Sequence, residues 1–360
     1  MKKIYSVIIG TGSYIPEVRK KNEDFYSNEF YDASGYRIDA SNEEITSKFE
    51  EITTIAERRY ARDDQSTSDL ALIAAQQAIE SADIDKETLN YIILAHNFGE
   101  TRADNNRVDI VPSVAARVKQ KLGIQNPYTV AYDIVFGCPG WVEAMIQADY
   151  YLRSGDAKRV LVIGADVLSR IADPHDRDSM IYADGAGAAI LEGVESEKPI
   201  GILGHITRTD ALEYAHLLHM GYSYKKETAE NRDMYVKMSG RRLYQYALQH
   251  VPKTIKEGLD RLNLDINDIK KVFIHQANGK MDDAILERLF RLYGLKKVPK
   301  ELMPMTISWL GNSSVATIPT LIDMVAREKM DDHKISSGDY FIMASVGAGM
   351  NINSVVYKKP

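Results

Sequence analysis

Short apolar runs alternate with longer amphipathic stretches along the whole chain. Runs at 5–9, 91–95, 129–133, 159–163, 188–192, 200–206, 271–275, 340–344 and 353–357 have the length and apolar content of buried strands. Apolar residues recurring every three or four positions predict helices over 67–81, 110–122, 140–154, 241–262, 281–293 and 316–330. Strands alternating with helices of this length predict an α/β protein. The polar stretch 193–198 precedes Pro199 and is the best junction, dividing the chain into 1–198 and 199–360.

An internal repeat sharpens this division. Segment 83–99 (DIDKETLNYIILAHNFG) aligns with 263–279 (NLDINDIKKVFIHQANG) at an offset of 180 residues. Asp85 meets Asp265, Leu89 meets Ile269, and Gly99 meets Gly279. Downstream, Phe136-Gly137-Cys138 opens one amphipathic stretch and Leu310-Gly311-Asn312 opens another. Each stretch runs through Ser-Gly-Asp into an apolar strand and a glycine turn, at Ile163-Gly164-Ala165 and at Val346-Gly347-Ala348-Gly349. Two matches in the same order argue for a duplicated fold.

Composition removes several classes of function. With 45 basic against 51 acidic residues the chain carries −6, which argues against bulk nucleic-acid binding. No apolar run approaches the roughly 18–20 residues of a membrane helix. The first residues lack the apolar core and small-residue site of a signal peptide, so a cytoplasmic protein is expected. The single cysteine, Cys138, excludes an internal disulfide, a Cys-rich zinc site and any mechanism needing two thiols in one chain. Val7-Ile8-Ile9-Gly10-Thr11-Gly12 begins like a dinucleotide-binding turn, but the third glycine is missing and Pro16 interrupts the helix.

Three residues carry candidate chemistry. Cys138 follows a strand and precedes a helix, where unpaired N–H groups and the macrodipole favour a thiolate. His275 ends a buried strand, at the edge where α/β proteins collect ligands. Asn312 holds in the second half the place of Cys138 in the first; as a bland alternative it is an N-cap. Together they form a Cys–His–Asn set for acyl chemistry without a metal. A thiolate would hold the acyl group covalently. His and Asn would stabilise the enolate left by decarboxylation, and backbone N–H groups of Cys138 and the turn near Ala348 would form an oxyanion hole.

At these residues the sequence resembles the thiolase-like superfamily, and within it the β-ketoacyl-acyl-carrier-protein synthase III family. The pieces that carry the likeness are Gly137-Cys138-Pro139-Gly140, Tyr182-Ala183-Asp184-Gly185-Ala186-Gly187-Ala188, His275-Gln276-Ala277-Asn278, Gly311-Asn312-Ser313-Ser314 and Gly347-Ala348-Gly349. The resemblance implies a thiolase-like fold, two duplicated halves in a five-layer αβαβα sandwich, and a homodimer. It implies a decarboxylative Claisen condensation of an acyl thioester with malonyl-acyl-carrier protein, with CoA or carrier phosphopantetheine thioesters as substrates and no resident cofactor or metal. Carried over by residue, Cys138 is the nucleophile, His275 and Asn312 promote decarboxylation, and Ala348 supplies the second oxyanion N–H. Met238, Gly240, Tyr244 and Asn278 would line the acyl and pantetheine channel. Lys280, Arg288 and Arg291 would contact an acidic carrier protein.

The solitary thiol argues against a thiolase, and Asn312 against the Cys–His–His elongating synthases. One departure is plain. The family's Trp-Ile-x-x-Arg-Thr-Gly-Ile stretch reads here Lys48-Phe49-Glu50-Glu51-Ile52-Thr53-Thr54-Ile55, without the Trp or the Arg. This leaves the acyl donor open between CoA and a carrier protein. Segments 20–44, 97–112 and 214–232 are longer than usual. A related enzyme that passes the acyl group to a non-carrier acceptor is the alternative reading.

Overall fold

The computed structural model describes residues 2–228 and 232–360. Its main strands are β1 (Lys3–Tyr14), β2 (Tyr91–His96), β3 (Val130–Val135), β4 (Arg159–Val167), β5 (Asp184–Ser196), β6 (Gly201–Thr209), β7 (Ile269–Ile274), β8 (Tyr340–Gly347) and β9 (Asn351–Lys358). The longer helices are α1 (Asn42–Thr53), α2 (Thr67–Ala82), α3 (Val114–Leu122), α4 (Gly140–Ser154), α5 (Gly240–Arg261), α6 (Gly279–Leu292) and α7 (Thr317–Ala326). One sheet runs β1-β5-β4-β2-β3 and the other β6-β9-β8-β7. In the first, β2 lies parallel to β4 and β3 while β5 is antiparallel to β1 and β4. The second repeats this pattern, with β7 parallel to β8 and β9 antiparallel to β8 and β6. Among the described residues it has no counterpart of β3; at that edge the Val272 N–H donates to the Leu302 carbonyl at 2.8 Å.

The strands divide their side chains between two faces, as the pleat requires. Ile93 faces the centre, while Ile92 and Leu94 face outward. The central core joins Ile93 and Val162 of one sheet to Phe273, Met343 and Val355 of the other, through Trp141 and Met145 of α4 and Ile318 and Leu321 of α7. Helices α2 and α3 cover the outer face of the first sheet, with Leu70, Ala74 and Val118 against Ile92 and Leu161. Helices α5 and α6 cover the second, with Val251, Ile255, Ile285 and Leu289 against Val272 and Ile342. These are the five layers of the thiolase-like αβαβα sandwich. No helix among the described residues is long and apolar enough to cross a membrane.

Three expectations need correction. The helix expected over 110–122 begins only at Val114, because Pro112 biases the residue before it away from helix and Ser113 caps the N-terminus, its Oγ accepting from the Ala116 N–H at 3.1 Å. The helix expected over 316–330 is the shorter α7, entered through a 3₁₀ turn, Ser314–Ala316, and closed at Glu328, whose φ is +55°. Asn312 therefore does not open a helix as Cys138 does. The longer segments are also ordered elements. Segment 97–112 holds a hairpin of Glu100–Arg102 with Asn105–Asp109. Leu218–Tyr222 pairs with Met234–Met238 at the edges of segment 214–232, whose residues 229–231 lie outside the described residues.

Candidate active site

Cys138 sits in a tight turn between β3 and α4. Gly137 has φ +71°, a conformation that favours glycine, and its carbonyl accepts the Gly140 N–H at 2.9 Å. The turn is pressed against the end of β8 from the other half. A Cβ added at Gly137 would lie 2.7 Å from Ala348 N, and one added at Gly347 would lie 2.5 Å from Cys138 N. Only glycine at both places lets the two turns touch. Their N–H groups, of Cys138 and Ala348, thus belong to adjoining backbones. Burial pushes the Cys138 thiol up to about 11; a hydrogen bond from Ser314 works against this and the Asp166 carboxylate adds to it. Burial thus works against the lowering expected of a helix terminus.

His275 follows β7, and its N–H donates to the Ala344 carbonyl at 2.9 Å. Burial pushes the imidazole down to about 4, against a hydrogen bond to the Ser314 backbone that raises it. The ring is thus uncharged at neutral pH, and its Nδ1 is buried without a hydrogen-bond partner. The neighbours of His275 hold the frame. The Gln276 side chain donates to the Pro304 carbonyl at 2.7 Å and accepts from Thr306 N at 2.9 Å and Ile307 N at 3.1 Å. Asn278 caps α6 through Met281 N at 3.1 Å.

Asn312 is fixed from the first half. Its N–H donates to the Ile181 carbonyl at 3.0 Å, and its carbonyl accepts from Ala183 N at 2.9 Å. Its Oδ1 accepts from Ser314 N, two residues on, at 2.8 Å. The Tyr-Ala-Asp-Gly motif serves this docking. Asp184 is buried and gathers three donors: Ala61 N at 2.7 Å, Ser169 N at 2.9 Å and Ser169 Oγ at 2.6 Å.

Cys138, His275 and Asn312 all line one cavity of about 790 Å³. So do Met238, Gly240, Tyr244 and Asn278, as well as Gly347, the residue before Ala348. Lys280, Arg288 and Arg291 are exposed on α6 outside the cavity. Arg288 shares a surface depression with Arg241 and Tyr244, two residues that also line the cavity. Arg291 pairs with Glu287 at 3.1 Å, one turn away, which fits an ordinary solvated helix face.

Sequence reasoning missed several lining residues. Helix α1, which overlaps the stretch that departs from the family's pattern, contributes Ile45, Lys48, Phe49 and Ile52. Its capping box, Ser41 with Glu44, was legible. Behind the cavity Arg58 is fully buried, donating to the Met180 carbonyl at 2.9 Å, the Lys20 carbonyl at 3.1 Å and Asn22 Oδ1 at 2.8 Å. Asp166 and Asn97 also lie behind the cysteine. An aspartate ending the otherwise apolar Val160-Leu161-Val162-Ile163 strand was the available signal.

A duplicated αβαβα chain, with a cysteine from one half and a histidine and asparagine from the other on one cavity, is an acyltransferase of the thiolase-like class. Residues 132–211 match the model for 3-oxoacyl-[acyl-carrier-protein] synthase III, and 259–359 match the model for its C-terminal part. The chain is 32% identical over 356 residues to beta-ketoacyl-[acyl-carrier-protein] synthase III of Aliivibrio fischeri, covering 99% of this chain and all of that one. Among solved structures, the synthase III of Aquifex aeolicus is 30% identical with a TM-score of 0.77, covering 99% of this chain and 100% of that one. That of Thermus thermophilus is 29% identical with a TM-score of 0.80, covering 98% and 99%. The chain belongs to the 3-oxoacyl-[acyl-carrier-protein] synthase III family.

Proposed function

We propose that this enzyme condenses an acyl thioester with malonyl-acyl-carrier protein, releasing CO₂ and giving a 3-oxoacyl-carrier protein. The observation that carries the reading is the convergence of Cys138, His275 and Asn312 on one mainly apolar cavity. Cys138 attacks the donor thioester, and the acyl group moves to sulfur. The adjoining N–H groups of Cys138 and Ala348 hold the oxyanion. The malonyl thioester then enters. His275 and Asn312 donate hydrogen bonds to its carbonyl oxygen, CO₂ leaves, and the enolate carbon attacks the acyl group. An uncharged His275 suits this step, because it does not trap the malonyl carboxylate as an ion pair. The chemistry uses side chains and backbone N–H groups alone, so the reading needs no resident cofactor.

Exposed Lys48, Arg177 and Arg241 line the cavity beside Met238, Gly240 and Tyr244. They suit the phosphate of a pantetheine arm, whether on CoA or on a carrier. Arg288, sharing a depression with Arg241, and nearby Lys280 extend this into a docking face for an acidic carrier protein. A homodimer is supported by the free edge of β3, where Val130 and Val135 are exposed, and by exposed Ile110 and Val111. A free nucleophilic thiol suits a reducing compartment, in keeping with a cytoplasmic enzyme.

Intact-mass spectrometry with a panel of acyl-CoA and acyl-carrier donors tests the covalent step. Acyl mass should appear on the native chain and be absent from Cys138→Ala; equal labelling of that variant would refute the assignment. With malonyl-carrier protein added, His275→Ala and Asn312→Ala should load acyl groups yet lose condensation by a hundredfold or more, as an order of magnitude for transition-state donors. Loss of loading instead would reassign both residues.

A further inference from the structure

The face of β9 that turns toward the central layer begins with two asparagines. Asn351 and Asn353 share this face with Val355, which continues it into the central core, while Ile352 and Val356 face outward. Asn353 reaches α4, its Nδ2 donating to Glu143 Oε2 at 2.8 Å. Asn351 is 8% exposed and does not line the cavity. Its Nδ2 donates to the Ala348 carbonyl at 2.8 Å and to the Phe136 carbonyl at 3.3 Å. Its Oδ1 accepts from Thr209 Oγ1 at 2.6 Å. Backbone carbonyls only accept, so both amide hydrogens are used and the amide can stand only this way round.

The two carbonyls belong to turns from opposite halves of the chain. Phe136 stands two residues before Cys138, and Ala348 carries both the accepting carbonyl and the second oxyanion N–H. Both turns need backbone that chain preference alone does not hold. Gly137, Gly349 and Met350 have φ of +71°, +75° and +53°, the last a strained value for a residue with a side chain. Glycine at 137 and 347 lets the turns touch. The Asn351 amide ties one to the other. Its own place is fixed, because Asn351 pairs with Gly347 on one side of β9 and with Thr209 on the other.

We propose that Asn351 is the positioning residue of the oxyanion site. By giving one amide hydrogen to each turn, it fixes the spacing of the Cys138 and Ala348 N–H groups before any substrate arrives. Donors held in place in this way stabilise a developing oxyanion without being turned at the moment of reaction. The inference rests on the reading of those two N–H groups as the oxyanion donors and of Cys138 as the nucleophile.

Two reactions of the same sulfur test it. Loading from an acyl thioester puts negative charge on a carbonyl oxygen. Alkylation by iodoacetamide displaces iodide from a saturated carbon and puts none there. The chain has one cysteine, so intact mass reads both reactions at Cys138. In Asn351→Ala the maximal rate of loading should fall about tenfold or more, short of the 10²–10³ of a deleted donor. The donor concentration at half-maximal rate and the rate of alkylation should stay near native. Asn351→Ser, with one hydroxyl for two carbonyls, should load at a rate between those of Asn351→Ala and native. Native loading by Asn351→Ala overturns the proposal. So does an equal fall in loading and alkylation, which marks a general loosening around the thiol. Should Asn351→Ala not fold, Asn351→Ser decides on the same terms. Failure of every thioester to load the native chain, with alkylation intact, would instead overturn the nucleophile reading and this inference with it.

Discussion

Gly347→Ala isolates the contact between the two halves. Gly347 has φ −170°, an extended conformation open to any residue, so alanine adds no backbone strain. What it adds is a methyl 2.5 Å from Cys138 N, 2.7 Å from Pro139 Cδ and 2.9 Å from Cys138 Cβ. Restoring an ordinary 3.4 Å separation from Cys138 N requires the turns to part by about 0.9 Å. Overpacking of this kind costs about 1–3 kcal/mol of stability. Displacing one oxyanion donor costs about 10²–10³ in rate. The assay is stopped acyl loading read by intact mass, beside a thermal melt. Loading should slow at least a hundredfold while the chain stays folded. Gly155→Ala is the control: its φ is +81°, with nothing within 4 Å of the new methyl. It should lose about 1 kcal/mol and load normally. Normal loading by Gly347→Ala would refute the argument that these turns form the oxyanion site.

Other outcomes can be checked by melting. Burial raises Asp282, whose two carboxylate oxygens have no hydrogen-bond partner. A raised folded pKa means the native state holds the proton more tightly, so stability falls as pH rises above about 4. Asp282→Asn should therefore gain stability relative to native at pH 8, and less at pH 5; no pH dependence in the difference would contradict this. His275, lowered from 6.5 to about 4, works with the opposite sign. Its contribution is complete above pH 6.5 and is lost on acidification to pH 4, by up to about 3 kcal/mol. His275→Asn should flatten that window in urea titrations. Arg58→Ala strands the Met180 and Lys20 carbonyls and should cost about 3–5 kcal/mol, seen as a lowered melting temperature.

The strongly periodic elements were legible. Helix α4 falls on the expected 140–154, and the nine expected strands all appear, each of them longer. Periodicity failed where tertiary contacts override it. Strand β5 extends back to Asp184 because Ala186 and Gly187 pair with Tyr14 and Ser13, a ladder the sequence does not announce. Helix α1 was hidden because its exposed Glu43, Glu44, Lys48 and Glu51 mask an apolar stripe of Ile45, Phe49 and Ile52. The three candidate site residues fall on one cavity because each sits at an element end. Asp166 was signalled only as a polar residue ending an apolar strand, and Asn97 was not legible, since a polar residue reveals its partners only when the chain has closed around it.

The duplication explains why the polar groups behind Cys138 exist. Strands β4 and β8 hold equivalent places in the two sheets, and each carries a glycine that meets the backbone of the other half. The turn after β8 presses Gly347 onto the backbone of Cys138. On the other side, Gly164 near the end of β4 presses onto Val315, where an added Cβ would lie 2.4 Å from the Val315 carbonyl oxygen. The two crossings are geometrically alike, but their residues differ. At the first, glycine and Ala348 leave bare N–H groups beside the sulfur. At the second, Asp166 follows two residues after Gly164 and accepts from Asn97, whose Nδ2 also donates to Ser314, the neighbour of Val315. One copy of an ancestral contact thus presents donors to the cavity, while the other places an acceptor behind it. The asymmetry has a physical consequence. An N–H pair stabilises negative charge developing on the substrate oxygen, and a buried carboxylate opposes negative charge resting on sulfur. The arrangement therefore disfavours a standing thiolate.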